Sequence, residues 1–320
     1  MTTPLRPYPP LIGPYRVLRP IGRGGAAAVY EVEHPRSAER LALKLLTHAM
    51  SSARFEREYR TLAALNHPNI VRVFDYGFTD DSYPYITMEL LDGVPAQAHA
   101  KACGKPGSTT RTAEVLRIGA LVADGLSYLH QHRIVHRDLK SSNVLVLSNG
   151  GVKLLDLGTA RLLGSDEGIT RQGEFIGTFT YASPEQLTGQ PVDHRSDLYS
   201  LGVLLYRLLT GRRPFEIDDP QEQARHHIEV MPSPPIEAAS SLPPSLSAFV
   251  MQLLAKRPDE RPPSARLVSE TLRHSGLCAP PLVLGPPWLG TLPLVGRAPE
   301  TALISQLVSE ARPGDRKSVV

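Results

Sequence analysis

Up to about residue 91 the apolar positions fall in short runs. Tyr15–Leu18, Val29–Val32 and Leu41–Leu46 have the aliphatic, aromatic and β-branched character of strands, with a glycine cluster between the first two. Two strands joined at a glycine turn and followed by a third predict an antiparallel meander. Phe55, Tyr59, Leu62 and Leu65 then recur at helical spacing, and Asn66-His67-Pro68 ends that helix. Ile70–Tyr76 and Tyr85–Leu91 read as two more strands. After Asp92-Gly93 the strand pattern gives way to helices. Thr112–His132 presents an apolar face of Val115, Ile118, Val122, Leu126 and Leu129, and Asp197–Leu209 and Leu246–Ala255 follow. A strand-rich part before a helix-rich part predicts an α+β chain of two lobes joined near Glu89–Gly93. Clefts between lobes are common ligand sites.

The flanks differ from this core. Residues 1–14 are Pro-rich and predict a disordered or loosely ordered lead-in. Cys103–Arg111 reads as a surface loop, and 275–293 as a Pro- and Gly-rich linker. Arg297–Ala311 returns to helical spacing through Leu303, Leu307 and Ala311, before a basic turn into Ser318-Val319-Val320. No internal repeat is visible.

Composition narrows the class without naming a chemistry. Of 320 residues 41% are hydrophobic and 21% charged, within the globular range. With 35 Lys plus Arg against 32 Asp plus Glu the net charge is +3, too small to argue for nucleic acid or a membrane surface. Two cysteines, Cys103 and Cys278, make no disulfide framework and fit a reducing, cytoplasmic compartment. Neither these nor His226-His227 has metal-ligand spacing. The longest apolar run, Leu201–Leu209, is interrupted by Arg207, so no spanning helix is expected. Met1–Pro10 holds four prolines and no apolar signal core.

The chemistry lies in short motifs. Gly22, Gly24 and Gly25 fall between two strands, where they make either a plain turn or a loop whose amides approach an anion. A dinucleotide-binding turn would need a helix next, and Val29–Val32 reads as a strand. Lys44 on an apolar strand is either a snorkelling edge lysine or a cation held toward phosphates. Its candidate partner, Glu58, is otherwise one charge on a solvated helix face with Arg54, Glu56, Arg57 and Arg60. His136-Arg137-Asp138-Leu139-Lys140-Ser141-Ser142-Asn143 is far more specific. It places a carboxylate able to accept or orient a hydroxyl proton beside a cation and an amide whose oxygen suits Mg²⁺. Asp156-Leu157-Gly158, after the strand Val152–Leu155, adds a second metal-competent carboxylate.

These segments, in this order, resemble the bacterial eukaryotic-like (Hanks-type) serine/threonine protein kinases, over roughly residues 15–274. The resemblance implies a bilobal α+β kinase-like fold, with a small antiparallel N-lobe to residue 91 and a helical C-lobe from 92. It also implies transfer of the ATP γ-phosphoryl group to protein Ser or Thr hydroxyls, with Mg²⁺, or alternatively Mn²⁺. Asp138, Lys140, Lys44 and Glu58 match the catalytic positions. Ile21, Gly22, Gly24, Val29, Ala42, Met88, Glu89, Leu91 and Leu145 match the nucleotide site, and Asn143 and Asp156 the metal ligands. Ser183-Pro184-Glu185 with Arg261, and Asp197, match the family's bracing residues. Lys140 and Gly177-Thr178 resemble the Ser/Thr class. Arg137 before Asp138 implies activation-loop phosphorylation, with Thr170 the candidate ahead of Thr159 and Ser165. The chain departs from the pattern at Ala27, Leu157, Ser141 and Ser183, none of which removes a catalytic group. A non-catalytic scaffold of the same fold would lack Lys44, Asp138 or Asp156, and all three are present. From Leu294 the chain resembles the opening of an AAA-type ATPase domain, without its phosphate loop; the other reading is a disordered tail. Trp288 in the linker is either a docking anchor or a cover for an apolar patch.

Overall fold

The computed structural model describes residues 8–24, 27–47, 52–156 and 179–275, apart from the side chains of 52–54, 57 and 58. All fall within one unit, Met1–Pro280. The expected meander is present. Strands β1 (Leu11–Ile12), β2 (Tyr15–Arg23), β3 (Ala27–Glu33) and β4 (Arg40–Leu46) pair antiparallel in sequence order. Helix α1 (Ser52–Ala63) follows, then β5 (Val73–Phe78) and β6 (Pro84–Glu89). The sheet runs β1-β2-β3-β4-β6-β5. The apolar face of α1 explains its place: Phe55, Tyr59 and Leu62 are buried, with Leu65 just beyond, and the Phe55 ring packs 5.4 Å from that of Phe78.

The helical lobe starts with β7 (Gly93–Pro95) and α2 (Ala96–Ala102). Helix α3 (Thr109–Gln131) is its central rod, and its five sequence-marked apolar residues are fully buried. A 3-10 turn at Ser141–Asn143 leads into β8 (Val144–Leu147) and β9 (Val152–Leu154), which complete a small sheet with β7. Then come α4 (Pro184–Leu187), α5 (His194–Thr210), α6 (Pro220–Glu229), α7 (Pro235–Ala238), α8 (Pro244–Leu253) and α9 (Ala265–His274). Nearly every residue of α5 is buried, the mark of a helix enclosed on all sides. One apolar cluster joins Ala42 and Met88 of the sheet lobe to α3 and α5.

Several sequence expectations need correction. Part of the lead-in is ordered, because Leu11 and Ile12 pair with Arg16 and Tyr15 across a turn at Gly13, where φ is +53°. The strand expected at Ile70–Tyr76 starts at Val73, while Ile70 makes a single parallel bridge to Leu154. The strand at Tyr85–Leu91 stops at Glu89. The surface loop ends earlier than Arg111, because the Ser108 side chain caps α3 by accepting from Arg111 N. Among the described residues no helix is long and apolar enough to cross a membrane.

Candidate active site

Asp197 fixes the loop that carries the polar motif. Buried at the start of α5, its carboxylate accepts the backbone N–H of His136 and Arg137, both at 2.9 Å, and the His130 ring nitrogen at 2.8 Å. Burial pushes its pKa up, but the His130 hydrogen bond, the neighbouring imidazoles and the His136 amide outweigh that and hold it below the usual range. The His136 ring bridges Asp138 N and Leu155 O, at 3.4 and 3.1 Å, which assigns its proton to Nε2. These contacts hold Arg137 at φ +65°, a left-handed conformation that costs a side-chain-bearing residue of order 1–3 kcal/mol and needs such bracing.

Asp138 then stands at the centre of a cluster. Lys140 Nζ lies 3.1 and 2.8 Å from its two carboxylate oxygens. Asn143 Nδ2 donates to Asp138 O at 2.8 Å and to its carboxylate at 3.0 Å. That orientation uses the amide's donors and leaves its oxygen as the acceptor, with Ser142 Oγ at 3.4 Å. Leu155 N donates to Asn143 O at 2.8 Å, which brings Asp156 alongside Asn143. Asp156 itself has φ +55°. Two hard oxygen donors so joined fit a magnesium-like cation that keeps waters and phosphate oxygens as its other ligands.

Across the cleft Lys44 Nζ donates to Asp156 Oδ1 at 2.6 Å. The sequence paired Lys44 with Glu58. Glu58 belongs to α1, but its side chain lies outside the described residues. Register sets Val29 opposite Lys44, Ala42 opposite Met88, and Gly22 opposite Val29. Gly24 N donates to Ala27 O at 2.8 Å and closes the turn, and a side chain added at Gly22 would meet only open space. Ile21 is 44% exposed over this edge. The expected lobe connection starts at the end of β6: Met88 and Glu89 are its last two residues, Met88 buried and Glu89 bonded to Lys153 Nζ at 2.6 Å, and Leu91 and Leu145 are half-buried. Leu157, Gly158 and the segment through Thr178, with Thr159, Ser165 and Thr170, lie outside the described residues.

Two supports went unread in the sequence. Gln186 Nε2 donates to Arg137 O at 2.8 Å and its oxygen accepts from Ser183 N at 3.0 Å, tying α4 to the motif loop. The signal was present, since Ser183 and Gln186 have capping-box spacing. Lys153, the partner of Glu89, gave no signal beyond its charge.

Comparison with known proteins agrees with this geometry. The family model described as the protein kinase domain matches residues 15–275. A probable serine/threonine-protein kinase of Streptomyces coelicolor is 42% identical over 263 residues, which are 79% of this chain and 38% of the relative. Serine/threonine-protein kinase PknB of Mycolicibacterium smegmatis is 36% identical over 309 residues, 88% of this chain and 48% of the relative. The chain therefore spans less than half the length of these relatives. The crystal structure of the Mycobacterium tuberculosis PknI kinase domain superposes with a TM-score of 0.62 at 28% identity, covering 82% of this chain and 96% of that one.

Proposed function

Because this chain belongs to the protein kinase domain family, we propose that it is a bacterial signalling enzyme that passes the γ-phosphoryl group of ATP to Ser or Thr hydroxyls of proteins. The observation that carries this reading is the Asp138 carboxylate, held between Lys140 and Asn143 on a loop braced by a buried aspartate. In this reading Asp138 orients the acceptor hydroxyl and takes its proton. Lys140, already against Asp138, offsets charge on the phosphoryl group as it moves, and Lys44 does so on the nucleotide side. Asn143 and Asp156 would hold Mg²⁺, with Mn²⁺ as a substitute, and the cation would neutralise phosphate charge and align the phosphates. Ile21, Gly22, Gly24, Val29, Ala42, Met88, Glu89, Leu91 and Leu145 would enclose the nucleotide, and Glu58 would steady Lys44.

The domain is proposed to run from 15 to 274, with lobes meeting at 91 and 92, a linker at 275–293, and from 294 the opening of an ATPase-type region or a tail. Two cysteines in 320 residues support a reducing, cytoplasmic setting. Thr170 is the proposed autophosphorylation site, where a phosphate would meet Arg137.

Phosphate transfer from labelled Mg-ATP to the chain and to a generic basic protein tests the reading, with Asp138→Asn and Lys44→Met alongside. Loss of general-base action lowers rates by roughly 10²- to 10⁴-fold, so label should appear in the parent and nearly vanish in Asp138→Asn. Equal label in parent and Asp138→Asn would sink it. Phosphopeptide mapping that finds Ser165 or Thr178 in place of Thr170 overturns the modification site.

A further inference from the structure

Next to Asp138 an open groove of about 500 Å³ runs between α2, the motif loop, Tyr181 and α5. Three of its described lining side chains are cations, Lys101, Lys140 and Arg207, and none is acidic. Composition does not require this, because the chain is nearly charge-balanced. Elsewhere exposed arginines stand beside carboxylates, as in Arg16–Glu33, Arg225–Glu222 and Arg257–Asp259. Among the described residues no carboxylate lies within ion-pair distance of Arg207 or Lys101.

Among the described residues Arg207 is held in place without being neutralised. It projects from the buried helix α5, and Nη1 donates to the Tyr181 hydroxyl at 2.9 Å. Its guanidinium carbon lies 6.0 Å from the Tyr181 ring centroid. Tyr181 is itself anchored, buried and with its carbonyl accepting from Ser200 Oγ at 2.8 Å. A neutral phenol occupies one of five guanidinium donors and cancels no charge. A planar fork fixed in this way suits a carboxylate or a phosphate. Lys101 on α2 is exposed and adds a point charge, and Ser141 supplies a hydroxyl.

The groove begins where the acceptor would lie. Lys140 lines it and also touches both oxygens of Asp138. An extended peptide advances about 3.3 Å per residue, so a side chain only a few positions from the acceptor reaches the groove. Resting on the phosphoryl-transfer reading above, we propose that this groove selects acceptor peptides carrying an anionic residue, acidic or already phosphorylated, within a few positions of the target Ser or Thr, and that Arg207 and Lys101 set this preference.

The test uses the full 320-residue chain. Dye-labelled peptides with one central Thr carry Ala, Glu, phosphoserine or Arg at the flanking positions. Binding is read by fluorescence anisotropy, and transfer from Mg-ATP is read on the same peptides. Making or removing one charge-assisted hydrogen bond is expected to move Kd about tenfold. Glu and phosphoserine peptides should therefore bind about tenfold tighter than Ala, and Arg peptides weakest. The Glu and phosphoserine arms separate a carboxylate from a phosphate as the preferred anion. Arg207→Glu and, independently, the surface change Lys101→Glu should each collapse the Glu-to-Ala ratio toward one. Ala, Glu and Arg peptides binding within twofold of one another would overturn the proposal. So would an unchanged ratio in both variants, and Lys101→Glu decides alone if Arg207→Glu does not fold. Anion preference without any transfer would sink the kinase reading and leave the groove assignment standing; transfer without preference would do the reverse.

Discussion

The Glu185–Arg261 and Lys44–Asp156 pairs are both short, at 2.7 and 2.6 Å, yet the helical lobe seals the first while the cleft leaves the second open. Arg261 has a fully buried side chain, and all five of its donors are used. Two bonds go to Glu185, and one each to the carbonyls of Ala255, Arg195 and Lys256. Ser196 Oγ also donates to Glu185 at 2.5 Å, and the guanidinium lies over Tyr199. Burial raises the Glu185 pKa, but the Arg261 and Ser196 bonds and the Arg261 charge override it and leave it lowered. On the cleft side, the Asp156 side chain is 34% exposed and Lys44 bonds it once. A pair with every donor satisfied and water excluded is a structural fixture. A pair with one bond and a wet partner can change partners, as the phosphate-binding role proposed for Lys44 requires.

The sharpest way to break that contrast is Arg261→Ala. It leaves a buried carboxylate unpaired, which typically costs about 3–5 kcal/mol, enough to unfold much of a marginal domain. Urea denaturation followed by circular dichroism should show the midpoint fall by that equivalent, with phosphate transfer lost in parallel. Lys44→Met should separate the two properties. Met keeps the buried stem of Lys44 packed, and Asp156 stays 34% exposed, so stability should fall by only about 1–2 kcal/mol while transfer falls by well over tenfold. A large drop in stability for Lys44→Met would erase the distinction drawn above.

The same contrast explains what could be read from sequence. Local pattern found α1, α3 and α5, because each carries a long apolar face or is buried throughout. It missed α2, α4 and α7, which have 7, 4 and 4 residues and too few turns to show a period, and it also missed α6 and α9, of 10 residues each. Asp138, Asn143 and Asp156 were legible as motif residues because their chemistry is concentrated in short segments. That Lys44 lies against Asp156, 112 positions away, was not legible, since such a contact depends on how the lobes close. The basic groove escaped for the same reason: Lys101, Lys140 and Arg207 come from three separate elements.

A smaller effect should appear on acidification. His227 is buried, with its Nδ1 2.9 Å from Tyr199 OH. Burial, then the charges of Lys256 and His226, push its pKa down to about 3 from the ordinary 6.5. Between those values the unfolded chain binds a proton there and the folded chain does not. Stability should thus be complete above about pH 6.5 and decline as pH falls toward 3. The lowered carboxylates of Glu185 and Asp197 contribute in the same direction only at lower pH, as they become protonated. In His227→Gln, urea midpoints should be lower at pH 7 and should fall less between pH 6.5 and 4.5 than in the parent. Parallel profiles would place the acid sensitivity elsewhere.

The smallest change sharpens the comparison most, because it falls where the sealed region meets the working one. Gln186 belongs to the helix that carries Glu185, and its amide reaches Arg137 O, one residue from Asp138. Gln186→Ala removes one net hydrogen bond to the loop and the capping-box return to Ser183, about 1 kcal/mol together. Because Arg137 is held at φ +65°, losing that tether releases a strained backbone beside the proposed base. The expected result is a modest shift in urea midpoint with a larger fall in kcat and little change in the KM for ATP. A variant that lost stability while kcat held would show that the Asp197 bonds alone position Asp138.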